Sequence, residues 1–257
     1  MVRSLLSVPD SSVNRPTKLM ASGARSIVRS GKVSMKGATR VFLRMTRCSA
    51  TMRSMEQYAI TTVAALEALY DQVLETAANK STDRLDAPTR AFIAACPFAL
   101  LGTQGARGNH ITPRGDAPGF IQMLDDQHVM LPDRKGNNRL DGLRDILEDN
   151  RVSLLFLIPG VNETLRLHGT ATISTDPELR ARCLAQGKEP ATVLIIKIRE
   201  IFMQCPKALM RSALWGGRTR PAEVPSMGQM ISAHKKGAVD PVAYDQAAPA
   251  RMKANLY

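Results

Sequence analysis

The chain has 257 residues, 44% hydrophobic and 23% charged, with 35 Lys and Arg against 23 Asp and Glu. That length buries a sizeable core and excludes a small scaffold held by staples. Four scattered cysteines, Cys48, Cys96, Cys183 and Cys205, form no CxxC pair, which argues against a disulfide framework or zinc ribbon and for reduced thiols in a cytosol-like compartment. No uncharged apolar run reaches the ~18 to 20 residues that a membrane-spanning helix needs.

Of the net charge of +12, +10 sits in residues 1–54, which hold eleven Lys or Arg and the single acid Asp10, while residues 55–257 hold 24 bases and 22 acids. A basic tract rich in Ser, Arg and Met, without interleaved aromatics, is not read as a nucleic-acid groove. Its composition fits an organellar transit peptide or upstream sequence ahead of a true start at Met55. Under both readings residues 1–54 are a basic leader outside the fold. The folded part is expected over 55–215, followed by a tail, 216–257, with one short helix. The location expected is cytoplasmic, or organellar if the leader is a targeting segment.

In chain order, Thr61-Thr62 caps a helix whose apolar positions Leu66, Leu69, Tyr70, Val73 and Ala77 follow helical spacing through about Asn79. Asp86 as N-cap and Pro88 in the first turn open a second helix that ends near Pro97. The period then becomes that of strands. Phe98 to Gly102, a Gly-rich turn at 104–108 and a return strand from Asn109 to Arg114 make a hairpin. Strands are predicted over 119–124 and 128–132. A helix follows from Asn138 to about Asp149, with Leu140, Leu143, Ile146 and Leu147 on one face. An apolar strand over 152–158 pairs with an alternating strand, 163–174, that sets Leu165, Leu167, Ala171 and Ile173 on one side. Asp176-Pro177-Glu178 opens a helix to about Gln186, 191–204 reads as a long strand, and helices are expected over 206–214 and 227–234. The fold class is therefore mainly β with α decoration, an α+β arrangement of six or seven mostly antiparallel strands in a small barrel.

Three clusters carry hydrogen-bond donors. Arg134, Lys135, Asn137, Asn138 and Arg139, with Gly136 among them, stand between a strand end and a helix start, where guanidinium forks and helix-terminal amides hold phosphate. A solvated basic loop is the alternative, and the two stand level. Thr112 and Arg114 flank Pro113 at a strand edge, free for a ligand; an ordinary turn with an Arg114–Asp116 ion pair is equally open. Lys207, Arg211 and Trp215 share one helical face and could cover a planar aromatic ligand. The alternative there is a capping helix that packs Trp215 on the core. The spacings of Rossmann, Walker A, GxSxG and HExxH sites are absent. His110, His128, His168 and His234 are too dispersed to propose a metal, His168 reads as a hydrogen-bonded structural residue, and no catalytic residue is assigned.

Four stretches occur in order: Thr112-Pro-Arg-Gly-Asp-x-Pro-Gly-Phe120, Asp133-Arg-x-Gly-Asn-Asn-Arg-Leu-Asp141, Leu154-Leu-Phe-Leu-Ile-Pro-Gly-x-x-Glu-Thr-Leu-Arg166 with Gly169, and Cys205-Pro-Lys-Ala-Leu-x-Arg-Ser-x-Leu-Trp215. Over about Thr61 to Ser232 the chain resembles the FMN-binding proteins related to pyridoxamine 5'-phosphate oxidase, in their flavin-nucleotide-binding branch. The resemblance implies a split β-barrel of FMN-binding type and a homodimer with FMN in the cleft between protomers. It implies an FMN-dependent oxidoreductase for an unidentified small molecule, with a non-catalytic flavin or haem carrier of the same fold as the alternative. It places Arg139, with Asn138, Arg134 and Lys135, at the FMN phosphate, and counts Asn137 among the cofactor-binding residues. Thr112 and Arg114 would face the ribityl chain or the ring, and Lys207, Arg211 and Trp215 would complete the pocket, from the same or the second subunit. The Arg-Leu-x-Pro ending of the true oxidases is missing from the tail Met252-Lys-Ala-Asn-Leu-Tyr257, so vitamin B6 oxidation is not the expected activity.

Overall fold

The computed structural model describes residues 57–257; the basic leader, 1–54, and the expected start at Met55 lie outside the described residues. The chain divides into two units, Met1–Asp71 and Gln72–Tyr257. In the first, Thr62 caps α1 (Val63–Glu67) by accepting the Ala65 amide at 3.2 Å. The single helix expected through Asn79 does not form. Its period breaks after Glu67, and one further turn, α2 (Glu75–Ala78), belongs to the second unit. Leu66, Leu69, Tyr70 and Val73, the face meant to be buried, are all exposed, and a short helix without packing on its apolar stripe is not stable.

In the second unit the local signals act as read for α3 (Ala87–Ala95). Asp86 accepts the Thr89 amide at 2.8 Å, Pro88 stands in the first turn, and Ile93 is buried. Seven strands follow: β1 (Phe98–Gly105), β2 (Gly108–Gly115), β3 (Gln122–Met123), β4 (His128–Asp133), β5 (Arg151–Leu157), β6 (Thr164–Ser174) and β7 (Thr192–Gln204). They form one antiparallel sheet in the order β2-β1-β5-β6-β7-β4-β3. Ala99 and Leu101 of β1, Val152, Leu154 and Phe156 of β5, and Leu165, Leu167 and Ala171 of β6 fill the inner side, the alternation a one-sided sheet demands. This is the α-decorated split barrel expected. The strand predicted over 119–124 shrinks to β3 because Pro118 and Gly119 turn the chain just before it.

The helix predicted from Asn138 is α4 (Asp141–Glu148), which opens three residues later. Asn138 and Leu140 adopt left-handed backbone, φ 58° and 57°, so Asn138 and Arg139 belong to the loop and present no helix-terminal amides. Its buried face is also turned from the one expected. Gly142, Asp145 and Ile146 are buried, whereas Leu140 and Leu147 are exposed. Asp176 caps α5 (Pro177–Arg182), α6 is Lys207–Ser212, and a Ser226–Gln229 capping box opens α7 (Met227–His234). The tail holds one more helix than expected, α8 (Pro241–Ala254), capped by Asp240. It carries no apolar face and contains Pro249, so periodicity had nothing to report. Cys96, Cys183 and Cys205 are free thiols. Among the described residues no helix is long and apolar enough to cross a membrane.

Register in β6 shifts between His168 and Gly169 opposite β7. A Cβ at Gly169 would stand 2.3 Å from the Lys197 carbonyl oxygen, a backbone atom that cannot rotate away. Gly169→Ala should therefore cost about 1–3 kcal/mol through overpacking, read as a lower urea midpoint at unchanged slope.

Candidate functional site

The β1–β2 hairpin is held in place by α4. Asp145, with only 2% of its side chain exposed, accepts the Thr103 hydroxyl at 2.7 Å and lies 2.6 Å from His110 Nδ1 through the same oxygen. Burial alone would raise the Asp145 carboxyl; Thr103, His110 and Arg107 more than offset it and hold it below the ordinary carboxylate value. An ionised carboxylate only accepts, so the contact with Asp145 calls for a proton on His110 Nδ1. Asp141 pairs with Arg107 at 3.1 Å, and Glu148 accepts the Ala106 amide at 2.8 Å. A side chain at Gly105 would strike both Asp145 and Glu148, at 2.6 and 2.9 Å.

So positioned, edge strand β2 turns His110, Thr112 and Arg114 inward while its alternate residues face out. Pro113 is tolerated because the strand has a free edge. These side chains and the loop 133–140 line one cavity of about 1340 Å3. The structure thus brings together seven of the sequence-predicted residues: Thr112, Arg114, Arg134, Lys135, Asn137, Asn138 and Arg139. Arg180 and Lys188 add two cations, against the lining carboxylates Asp133, Asp141 and Glu189.

The cations are held by designated acids. Arg114 pairs with Asp133, not with Asp116 as a local turn would have it, and its Nε is a buried donor without an acceptor among the described residues. Arg134 donates from Nε to Asp116 at 2.7 Å and from Nη1 to the Cys183 carbonyl at 2.6 Å. Arg139 donates to Asp141 at 2.8 Å but remains 72% exposed. Asn137 steadies the loop by accepting the Arg139 amide at 3.1 Å.

Lys207, Arg211 and Trp215 are not part of this cavity in one chain. Lys207 and Arg211 are exposed, α6 ends at Ser212 so that Trp215 does not share its helical face as expected, and the Trp215 indole donates to the Val161 carbonyl at 2.8 Å. A second cavity of about 840 Å3 lies along Ser153, His168, Arg151, Arg199 and Glu200, and His110 borders both. There Ser153 Oγ and His168 Nδ1 are 2.9 Å apart, the structural hydrogen bond expected of His168.

Five participants were missed from sequence: Asp116, His110 with Asp145, Lys188 and Tyr257. The Tyr257 hydroxyl donates to Asp116 Oδ1 at 2.7 Å, the Arg134 guanidinium lies 5.5 Å from its ring centroid, and Lys188 Nζ donates to its main-chain oxygen at 2.9 Å. Asp116 had a signal, standing beside Arg114 in the Thr-Pro-Arg-Gly-Asp run. Tyr257 had none, because its place depends on the path of a tail without periodicity.

The hydrogen bond to Asp116, then desolvation and the Asp116 charge, raise the Tyr257 phenol above 10.0. For Asp116, burial acts upward, and the Tyr257 hydroxyl, the Ala117 amide and Arg134 outweigh it, leaving the carboxyl below 3.8. A raised phenol contributes stability that is whole below its unfolded value and lost as pH rises through the folded one. A lowered carboxyl contributes stability that is whole above its unfolded value and lost as pH falls through the folded one. Docking of Tyr257 should accordingly hold from about pH 4 to about pH 10 and fail beyond each end. Near-ultraviolet phenolate absorbance of the native chain minus that of Tyr257→Phe should show one late-titrating tyrosine, and Asp116→Asn should bring its titration back toward the ordinary range.

Residues 85–205 match the family model described as pyridoxamine 5'-phosphate oxidase. A crystal structure of a putative pyridoxamine 5'-phosphate oxidase from Lactobacillus delbrueckii is 20% identical, covering 48% of this chain and 98% of that one, with a TM-score of 0.39. HupZ from Group A Streptococcus is 18% identical over 46% of this chain and 93% of its own, TM-score 0.39. An F420 reductase is 13% identical over 46% of this chain and 98% of its own, TM-score 0.35. No curated protein matches the chain. The segment matched by the family model runs from just before α3 to the residue after β7 and takes in the whole seven-stranded sheet.

Proposed function

We propose that this protein binds FMN in the 1340 Å3 cavity and acts as an FMN-dependent oxidoreductase on a small molecule, as a cytoplasmic homodimer. The observation that carries the reading is the convergence of loop 133–140 with the inward face of β2, around the buried, acceptor-less Nε of Arg114. A buried donor with no partner is costly unless a ligand supplies an acceptor, and a phosphorylated, oxygen-rich cofactor supplies several. The residues fit that group. Lys135 and Arg139, the latter largely exposed, would take the phosphate; Thr112 and Arg114 would meet the ribityl and ring oxygens. When bound, FMN supplies the two-electron chemistry, and the chain supplies position and charge.

A dimer is supported by the outer face of the sheet. Phe98 is 37% exposed and Leu100, Leu155 and Leu157 are half-buried beside it, an apolar surface on β1 and β5 of the kind that subunits cover. In such a dimer Lys207, Arg211 and Trp215, which lie outside their own chain's cavity, would reach the partner's.

The reading is tested with purified protein and gel filtration. FMN should co-elute with a dimer, and electron donors should reduce it faster than they reduce free flavin. Lys135→Ala and Arg139→Ala should each weaken FMN binding about 10-fold, or ~1.4 kcal/mol, and leave binding of riboflavin, which lacks the phosphate, unchanged. Equal losses for FMN and riboflavin would remove the phosphate assignment. Bound FMN that no donor reduces faster than free flavin would make the protein a carrier.

A further inference from the structure

On the outer face of the sheet, register sets five residues in one row. Ile111 of β2 stands opposite Gly102 of β1, Gly102 opposite Ser153 of β5, Ser153 opposite His168 of β6, and His168 opposite Glu200 of β7. All five line the 840 Å3 cavity. Just beyond the row the ladder slips: Gly169 pairs with Ile198, so Arg199 has no partner in β6. Ile198 and Ile201 both stay buried, and the two residues between them, Arg199 and Glu200, both line the cavity. Neighbours in an unbroken strand take opposite faces; a bulge re-aims one of them. Residues 81–83 continue the wall beyond β7, held by backbone hydrogen bonds of 3.1 and 2.7 Å between Thr82 and Ile201.

The bulge thus delivers a cation and an anion side by side. Arg199 is exposed and Glu200 half-buried, and neither is within ion-pair distance of an opposite charge among the described residues. The other charged groups of the wall are engaged: Arg151 with Asp149, and Asp83 with Arg84 and the Gln127 amide. His168 is held by Ser153 at 2.9 Å and His110 by Asp145. A half-buried carboxylate without a partner costs solvation. Gly102 leaves the floor open between Ser153 and the exposed Ile111. A Cβ there would make an ordinary 3.6 Å contact with the Ser153 Cβ, so packing does not demand the glycine, and a strand glycine often marks where a ligand approaches.

We infer that this outer-face cavity binds a free α-amino acid with an apolar side chain, its carboxylate on Arg199, its ammonium on Glu200 and its side chain over Gly102 toward Ile111. A guanidinium fork takes a carboxylate through two parallel hydrogen bonds, and a carboxylate takes an ammonium through a charge-assisted one. An anion alone would leave Glu200 unmatched and be repelled by it, and a cation alone would do the same at Arg199. A zwitterion satisfies both. Ser153 and His168, fixed on each other, give the head group a polar floor. Binding there requires no flavin and goes beyond the proposed function.

The test is titration calorimetry on the full chain with L-leucine, 4-methylpentanoate, which lacks the ammonium, and 3-methylbutylamine, which lacks the carboxylate. L-Leucine should bind at least about 10-fold tighter than either analogue, and than glycine, which has no side chain to lay over Gly102. Glu200→Gln should bring L-leucine down to the affinity of 4-methylpentanoate, and Arg199→Gln to that of 3-methylbutylamine, whereas a loosened fold would weaken all ligands alike. Gly102→Val, which fills the open floor, should weaken L-leucine at least about 10-fold. No binding of L-leucine by the native chain, equal affinity for L-leucine and the two analogues, or a preference unchanged in both charge variants would overturn the site. If neither charge variant folds, the native preference and Gly102→Val carry the test. A chain that takes L-leucine and refuses FMN would overturn the functional reading alone.

Discussion

Two ion pairs run crosswise between segments that do not share a sheet ladder. Arg114 at the end of β2 reaches Asp133 at the end of β4, and Arg134, next to Asp133, reaches back to Asp116. β2 is one edge of the sheet and β4 lies next to the other, so these contacts bring the two ends of a rolled sheet together where backbone pairing does not. All four side chains are between 5% and 17% exposed. Burying four charges costs solvation, and their mutual attraction roughly returns it. Their net effect is therefore on specificity more than on stability: removing one member would leave a buried charge alone. The cavity exists because this crossing holds its two walls at a fixed separation.

The second constraint acts on the hairpin that forms one of those walls. α4 presents Asp141, Asp145 and Glu148 at helical spacing toward the β1–β2 turn, each engaged with a hairpin group. An amphipathic helix normally turns an apolar stripe to its sheet. This one turns a mixed face, with Ile146 packed and Asp145 hydrogen-bonded. The exchange aligns His110, Thr112 and Arg114 along one side of β2. The same carboxylate takes both the Thr103 hydroxyl and His110 Nδ1, so a single buried group ties the two strands of the hairpin to the helix.

These devices explain what the sequence could and could not disclose. Alternating strands and the Asp86 and Asp176 caps are local, and they were legible because period and capping act within a few residues. The face of α4 was misread because burial of Asp145 depends on Thr103 and His110, some forty residues upstream, which no periodicity reports. The start of the same helix was misread because Asn138 and Leu140 accept left-handed backbone, a conformation that for leucine is imposed by surroundings. For the cavity, residue types were legible and pairings were not. Arg114 and Asp116 look like partners two residues apart, yet Arg114 is claimed by Asp133, the last residue of β4, and Asp116 by Arg134 of the loop that follows.

The same exchange of partners shapes what the cavity can recognise. Every guanidinium in the sequence-predicted cluster is already matched to a carboxylate, Arg114 to Asp133, Arg134 to Asp116 and Arg139 to Asp141. An incoming anion therefore meets no field of bare cations. It meets donors whose directions are fixed, such as the Nε of Arg114, and two ammonium groups, Lys135 and Lys188, on the rim. Preorganised donors contribute to binding without the cost of being ordered at the moment of contact. A site built in this way selects by the placement of oxygen atoms around a flat body and only secondarily by total charge.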